Sequence, residues 1–511
     1  MERMNDLPGV VQGCVPRKDI IDGAYELEAF AADLNLVIEG KKGYLYSDPE
    51  DFFKNTYPTD GLKTTIREVF GRLTGTHPGA PVIKLETGLG GGKTHTLIAL
   101  YHLAKHGTHI NDIERVIGDL NFEPMLTAAI VGTELGITTQ EGKRKTVWGE
   151  LAYQLKGYDG YDLIKAADQQ MISPGERDLR ELFGDDKCLI LIDEIAQYLV
   201  RASGISIGET TLAENTVAFL HALTQVAAAL DNVELVITSL DEKSVFKEKT
   251  GKIREMLEKA THEEMVIQTI KDANSVVSRV VQSLEPTKGE EFAHIIRHRL
   301  FESIDPTVRD IVVDAYLEGY RKEGVSEYLP QSVKDPLHRD VMIKSYPFHP
   351  DIIGILRTKT SSIENFHKTR GVLRFLSVLV KHVWDDKIET PLIHPYHVDF
   401  SNDVIFNELI SRLDLRDLKP AIDEDLANKD KDTRSDMVDQ KYSNPYGTWV
   451  TTTILLHSLT GMIGTDVKKG ANPAEIHEGL YQPGLDPEII NRVLEDLDNT
   501  WFFFIGHRLS P

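Results

Sequence analysis

The chain has 511 residues, of which 41% are hydrophobic and 27% charged, a balance that excludes disorder throughout and gives length for about three domains. Its 57 basic and 80 acidic residues leave a net charge of −23, which argues against a broad nucleic-acid-binding surface and leaves only a local basic patch open. Two cysteines exclude a disulfide framework, no apolar run approaches the ~18 residues of a membrane span, and Met1–Asp6 leads into no apolar signal segment, so a reducing, cytoplasmic location is expected.

Residues 1–75 read as an N-terminal segment. Tyr25–Leu34 has apolar positions at helical spacing, and Asp60–Leu73 reads as a helix capped by Asp60 and closed near Gly75. From 76 to 275 the texture changes to short Val/Ile-rich runs alternating with helices. The runs lie at 81–85, 128–131, 188–192, 235–237 and 265–267, and they predict an α/β core with a parallel sheet covered on both faces. Trp148 and Tyr153 read as packing residues of a helix, and Cys14 and Cys188 as buried small apolar residues.

The strongest motif is Glu86-Thr87-Gly88-Leu89-Gly90-Gly91-Gly92-Lys93-Thr94-His95, between a strand and the apolar helix Leu97–Ala104. This is the setting of a P-loop. Backbone N–H groups at Gly88, Gly90, Gly91 and Gly92 would close around phosphate oxygens. Lys93 would reach the β- and γ-phosphates of ATP, and the Thr94 hydroxyl would bind Mg²⁺. The pattern departs at its entry, where Thr87 stands in place of the first glycine. His95 follows the loop and would touch nucleotide or the Asp193 strand, or serve as a buried, hydrogen-bonded structural histidine, the role the residue favours.

About one hundred residues later an apolar strand ends in Asp193-Glu194. Asp193 suits a magnesium shell, and Glu194 suits a general base that polarises the attacking water. The 235–237 run ends in Thr238 and Ser239; one of these hydroxyls would contact the γ-phosphate or the water, or else cap the strand end. The adjacent glutamate favours hydrolysis over binding alone.

Residues 276–411 read as helical, with Phe292–Phe301 the clearest case. His349, in a proline-flanked turn, reads as structural. Residues 412–441 are charge-rich and read as a linker. In 442–511, three short helices precede the aromatic run Thr500–Ile505, which suggests a winged-helix-like unit. The chain stops where a second wing strand is expected, so the fold is minimal or the sequence is the front part of a longer protein.

These residues resemble the AAA+ superfamily. A closer resemblance is to a prokaryotic predicted-ATPase family known as domain of unknown function 499. It is carried by Cys14–Arg17, Phe52–Thr59, Gly90–His95, Trp148–Tyr153, Tyr346–Pro350 and Thr369–Arg374. The resemblance implies a P-loop sheet of ASCE/AAA+ type with a helical lid, ATP and Mg²⁺ as ligands, and a homo- or hetero-oligomer. It also implies an N-terminal stretch, Pro16–Asp22, folded over adenine. An arginine from lid or neighbour would sense the γ-phosphate, with Arg370 first choice among Arg254, Arg297, Arg299, Arg370 and Arg374. Family members are usually longer and resemble components of phage-defence clusters that also hold DNA-modifying enzymes. The functional expectation is therefore an ATP-hydrolysing motor or switch with protein partners in a defence complex. Two alternatives are a nucleotide-gated interaction switch and a winged-helix DNA-binding regulator. The last is disfavoured because Glu488, Glu495, Asp496 and Asp498 outnumber Arg492 around the candidate recognition helix.

Overall fold

The computed structural model describes residues 7–23, 32–86, 92–136, 144–238, 260–278, 281–287, 291–360, 363, 366, 369–460 and 469–503. The chain divides into two compact units. One is Ala32–Glu291, and the other joins Met1–Ala31 to Phe292–Pro511. The N-terminal segment is thus shared between the two, and each unit is described by itself.

The Ala32–Glu291 unit is built on a five-stranded parallel sheet. Its strands are β1 (Val82–Leu85), β2 (Leu126–Val131), β3 (Cys188–Asp193), β4 (Val233–Thr238) and β5 (Val281–Leu284), in the order β2-β3-β4-β1-β5. Alternate side chains point to opposite faces, and here both faces are apolar. Cys188, Ile190 and Ile192 of β3 join one core, while Leu189 and Leu191 join the other. The helices α1 (Asp60–Thr74) and α2 (Lys93–His106) cover the second face; α3 (Val147–Gln170), α4 (Ile195–Ala202), α5 (Leu212–Ala229) and α6 (Ala260–Val277) contribute to the first. Each fully buried aliphatic side chain contributes roughly 1.5–3 kcal/mol, so burial on both faces anchors the central strands.

Two local readings change. Met265-Val266-Ile267 lies inside α6, not in a strand. Val266, Ile270, Ala273 and Val277 are buried at helical spacing along it, and that longer period prevails over a three-residue apolar run. The fifth strand is instead Val281–Leu284, at the sheet edge, where Gln282 and Ser283 conceal it in the sequence. The α1 helix is capped by Thr59, whose Oγ1 accepts the Leu62 N–H at 3.1 Å, not by Asp60. Gly75 ends it with φ +74°, as its position predicts. Of the expected 25–34 helix, residues 24–31 lie outside the described residues; a short helix runs over Leu34–Ile38, capped by Asp33.

In the other unit Cys14–Pro16 pairs antiparallel with Phe301–Ile304. Its helices include α7 (Phe292–Leu300), α8 (Pro306–Arg321), α9 (Pro350–Thr358) and α10 (Thr369–Asp385), followed by α11 (Tyr446–Ser458), α12 (Pro473–Leu480) and α13 (Pro487–Asp498). The charge-rich 412–441 stretch is integrated into this unit. Ile422, Asp425 and Leu426 are buried, and a helix forms over Arg434–Asp439. Helices α11, α12 and α13 share a core with Val450, Ile476, Val493 and Trp501. The expected strand at 500–505 does not form over its described part, Thr500–Phe503. There the N–H groups of Phe502 and Phe503 donate to the Asp425 carboxylate at 2.9 and 2.8 Å. Asp425 thereby occupies donors that a strand partner would need.

Candidate functional site

The parallel register brings the C-terminal ends of β1, β3 and β4 to one edge of the sheet. Leu85 pairs with Thr238, and Ile192 pairs with Ile237. In open α/β sheets this edge is where ligands bind. Here β4 separates β1, which leads into the glycine-rich loop, from β3, which carries Asp193.

Thr87 to Gly91, including Gly88, Gly90 and Gly91, lie outside the described residues, as do Ser239 and Arg254. Gly92 is described and forms the N-cap of α2 with φ +92°, a conformation that L side chains rarely adopt. A Cβ there would also meet Thr287 Oγ1 at 2.7 Å. Lys93 and Thr94 occupy the first turn of α2, half-buried.

From that turn Thr94 Oγ1 donates to Asp193 Oδ2 at 3.0 Å. Thr238 Oγ1 donates to Asp193 Oδ1 at 2.9 Å and accepts the Glu194 N–H at 3.1 Å. One hydroxyl therefore uses its proton on one acidic residue and its lone pair on the backbone of the next. Asp193 is 3% exposed. Burial raises its pKa above the ordinary carboxylate value, while the Thr238 and Thr94 hydroxyls, the Lys93 charge and the Glu194 N–H act in the opposite direction. Three separate elements thus meet at one carboxylate.

Glu194 is exposed and caps α4 with φ +51° and ψ +32°, a left-handed conformation. For a residue with a Cβ this costs about 1–2 kcal/mol, and such strain concentrates at functional sites. Gly132, beyond the end of β2, lies against it. A Cβ on Gly132 would meet Glu194 O at 2.3 Å, so only glycine fits. No motif in the sequence marked Gly132; a glycine directly after an apolar strand run was the one available signal.

His95 has a packing environment. Its Nε2 donates to Thr56 Oγ1 at 2.9 Å, because the Thr56 proton is given to Phe52 O at 2.7 Å. Its ring lies 4.7 Å from the Phe52 ring, and burial lowers its pKa to about 4.

The arginine candidates other than Arg254 belong to the other unit. Arg297 donates to Ile343 O at 3.0 Å, Arg299 pairs with Asp19 at 2.8 Å, and Arg374 pairs with Glu408. Arg370 is exposed near the start of α10. Pro16–Asp22 also belongs to that unit, where Arg17 Nε donates to His298 O at 2.9 Å. His349 is structural: its Nδ1 accepts the Asp351 N–H and caps α9.

Among the described residues, no group of three or more His, Cys, Asp or Glu side chains is gathered to hold a metal. The donors that converge at the sheet edge, the Thr94 hydroxyl and the Asp193 carboxylate, are hard oxygens, the ligand class of Mg²⁺ rather than zinc. No helix among the described residues is long and apolar enough to cross a membrane.

Residues 11–131 and 136–283 match the DUF499 N-terminal domain, and residues 287–504 match the DUF499 second domain. The boundary between these matches falls close to the boundary of the structural units at Glu291, although residues 11–31 fold with the second. No curated protein matches the chain.

Proposed function

The chain belongs to the DUF499 family, and from that premise we propose that it is a magnesium-dependent, P-loop ATPase of AAA+-like type. The observation that carries the reading is the 3.0 Å hydrogen bond from Thr94 to Asp193, which joins the residue after Gly92-Lys93 to the acidic end of a non-adjacent strand.

On this reading the N–H groups from Gly88 through Gly92 and the N-terminus of α2 receive the phosphates, with Lys93 at the β- and γ-oxygens. Thr94 and Asp193 hold Mg²⁺, which when bound neutralises charge on those oxygens. Glu194 takes the proton of the attacking water as general base. Its exposed side chain and strained backbone support that role over packing. Thr238 fixes both acidic residues, and with Ser239 it supplies hydroxyls beside the γ-phosphate. Arg370 is the proposed charge sensor.

The resemblance extends the proposal to a motor or switch in an oligomeric defence complex, working with protein partners and DNA-modifying enzymes. The test is phosphate release from Mg-ATP by the full chain. Lys93→Ala and removal of Mg²⁺ should each abolish it. Turnover that survives Lys93→Ala would overturn the reading.

A further inference from the structure

The left-handed Glu194 needs an explanation beyond its hydrogen bond to Thr238. An L residue relaxes out of this conformation unless its surroundings over-determine it. Three restraints surround it. Thr238 Oγ1 accepts the Glu194 N–H at 3.1 Å. On the other side the Gly132 N–H donates to Asp193 O at 2.8 Å, and the bare Gly132 Cα packs on the Glu194 carbonyl. The third comes from α4, the helix that Glu194 itself caps. In its last turn the Arg201 guanidinium donates to the carbonyl of Gly132.

These contacts close a ring. It runs from Glu194 along α4 to Arg201, across to Gly132, and back through Asp193 to Glu194. Helical side chains lean toward the N-terminus of their own helix, which directs Arg201 back toward the glycine. Gly132 is then held on both sides of its Cα, by Arg201 at its carbonyl and by Asp193 O at its N–H. Without Arg201, the turn after β2 keeps the bonds from Glu134 N–H and Leu135 N–H to Val131 O and from Gly132 N–H to Asp193 O, and it is the Gly132 carbonyl that loses its restraint.

We propose that Arg201 is a positioning residue that holds the Glu194 carboxylate in place for hydrolysis, acting through the Gly132 peptide. The proposal rests on the ATPase reading above. It predicts a division of effects, because Arg201 acts on the Gly132 carbonyl and not on the side chains of Lys93, Thr94 or Asp193. Nucleotide binding should survive its loss, and turnover should not.

The experiment compares wild type, Arg201→Ala and Arg201→Lys in the full chain, with Lys93→Ala alongside. Arg201→Ala should lower kcat about 10- to 100-fold, the scale of a misplaced catalytic group. ATP affinity and Tm should stay near wild type. Arg201→Lys, which keeps a donor for the Gly132 carbonyl, should recover part of the loss. In a Glu194→Gln background, Arg201→Ala should cost nothing further, because the group it positions is already gone. Unchanged kcat in Arg201→Ala, beside an inactive Lys93→Ala, would overturn the proposal and leave the ATPase reading intact. Parallel losses of kcat, ATP affinity and Tm would also overturn it, since they mark a structural role. If wild type shows no turnover, the ATPase reading fails and amide hydrogen exchange decides the clamp. Faster exchange at Gly132 and Glu194 in Arg201→Ala supports it; unchanged exchange overturns it.

Discussion

Two regions of this molecule bury polar groups, and they do so differently. At the sheet edge, Asp193 is buried with its pKa raised, next to a left-handed Glu194. In the Phe292–Pro511 unit, His349 and His394 are 0% exposed. There every bond has a defined direction. His394 Nδ1 donates to Gly479 O at 2.9 Å, so its Nε2 accepts from Tyr316 OH at 2.9 Å. His349 Nδ1 accepts the Asp351 N–H, so its Nε2 donates to Tyr320 OH at 2.9 Å. Both rings are neutral, each with one tautomer, and both residues have ordinary negative φ. The histidine network has the features of a satisfied core. The sheet edge combines burial with strain and with groups from three elements, which a core has no reason to maintain. Burial of polar groups alone therefore does not mark a site.

The largest separation between the regions should come from Asp193→Asn. Turnover should fall about 1,000-fold, because the charge that faces Thr94 and, on the proposed reading, would hold Mg²⁺ is gone. Stability should hold or rise. A carboxylate whose folded pKa lies above its unfolded value opposes folding once ionised, and Asn removes that opposition. Thermal melts beside ATPase assays check both halves.

Acid should break the other region first. Burial lowers the His349 pKa to about 3, from an ordinary value near 6.5. As pH falls below 6.5 the unfolded chain takes a proton that the folded ring refuses. Stability is thus fully present above pH 6.5 and is lost as pH falls toward 3. At pH 4 this one ring accounts for about 3 kcal/mol. Denaturant melts from pH 7 to pH 4, compared with His349→Gln, should show the slope and its reduction in the variant.

Thr238→Val should lower turnover about 10- to 100-fold and cost about 1–3 kcal/mol, since it leaves an Asp193 oxygen and the Glu194 N–H without their partner. Tyr316→Phe should be the mildest change, costing about 1 kcal/mol with turnover unaffected.

Much of the sheet-edge site was legible because it is local in sequence. Gly92-Lys93-Thr94 sits at a strand–helix junction, and Asp193-Glu194 ends an uninterrupted apolar strand. The features that escaped depend on distant partners. Val281–Leu284 is a strand because β1 lies beside it, not because of its own alternation. Asp425 reads in the sequence as one charge in a linker, and only folding brings the N–H groups of Phe502 and Phe503 to it. The same bonds explain why an aromatic run that reads as a strand is none over Thr500–Phe503. Arg201 belongs to no motif, and only folding brings it to Gly132.

On the proposed reading Glu194 acts in hydrolysis rather than in binding. The most direct measurement is phosphate release and ATP affinity for wild type and Glu194→Gln, side by side with Mg²⁺. Equal affinity and a loss of turnover of at least about 100-fold are expected in the variant. Equal turnover by the two proteins would contradict that reading.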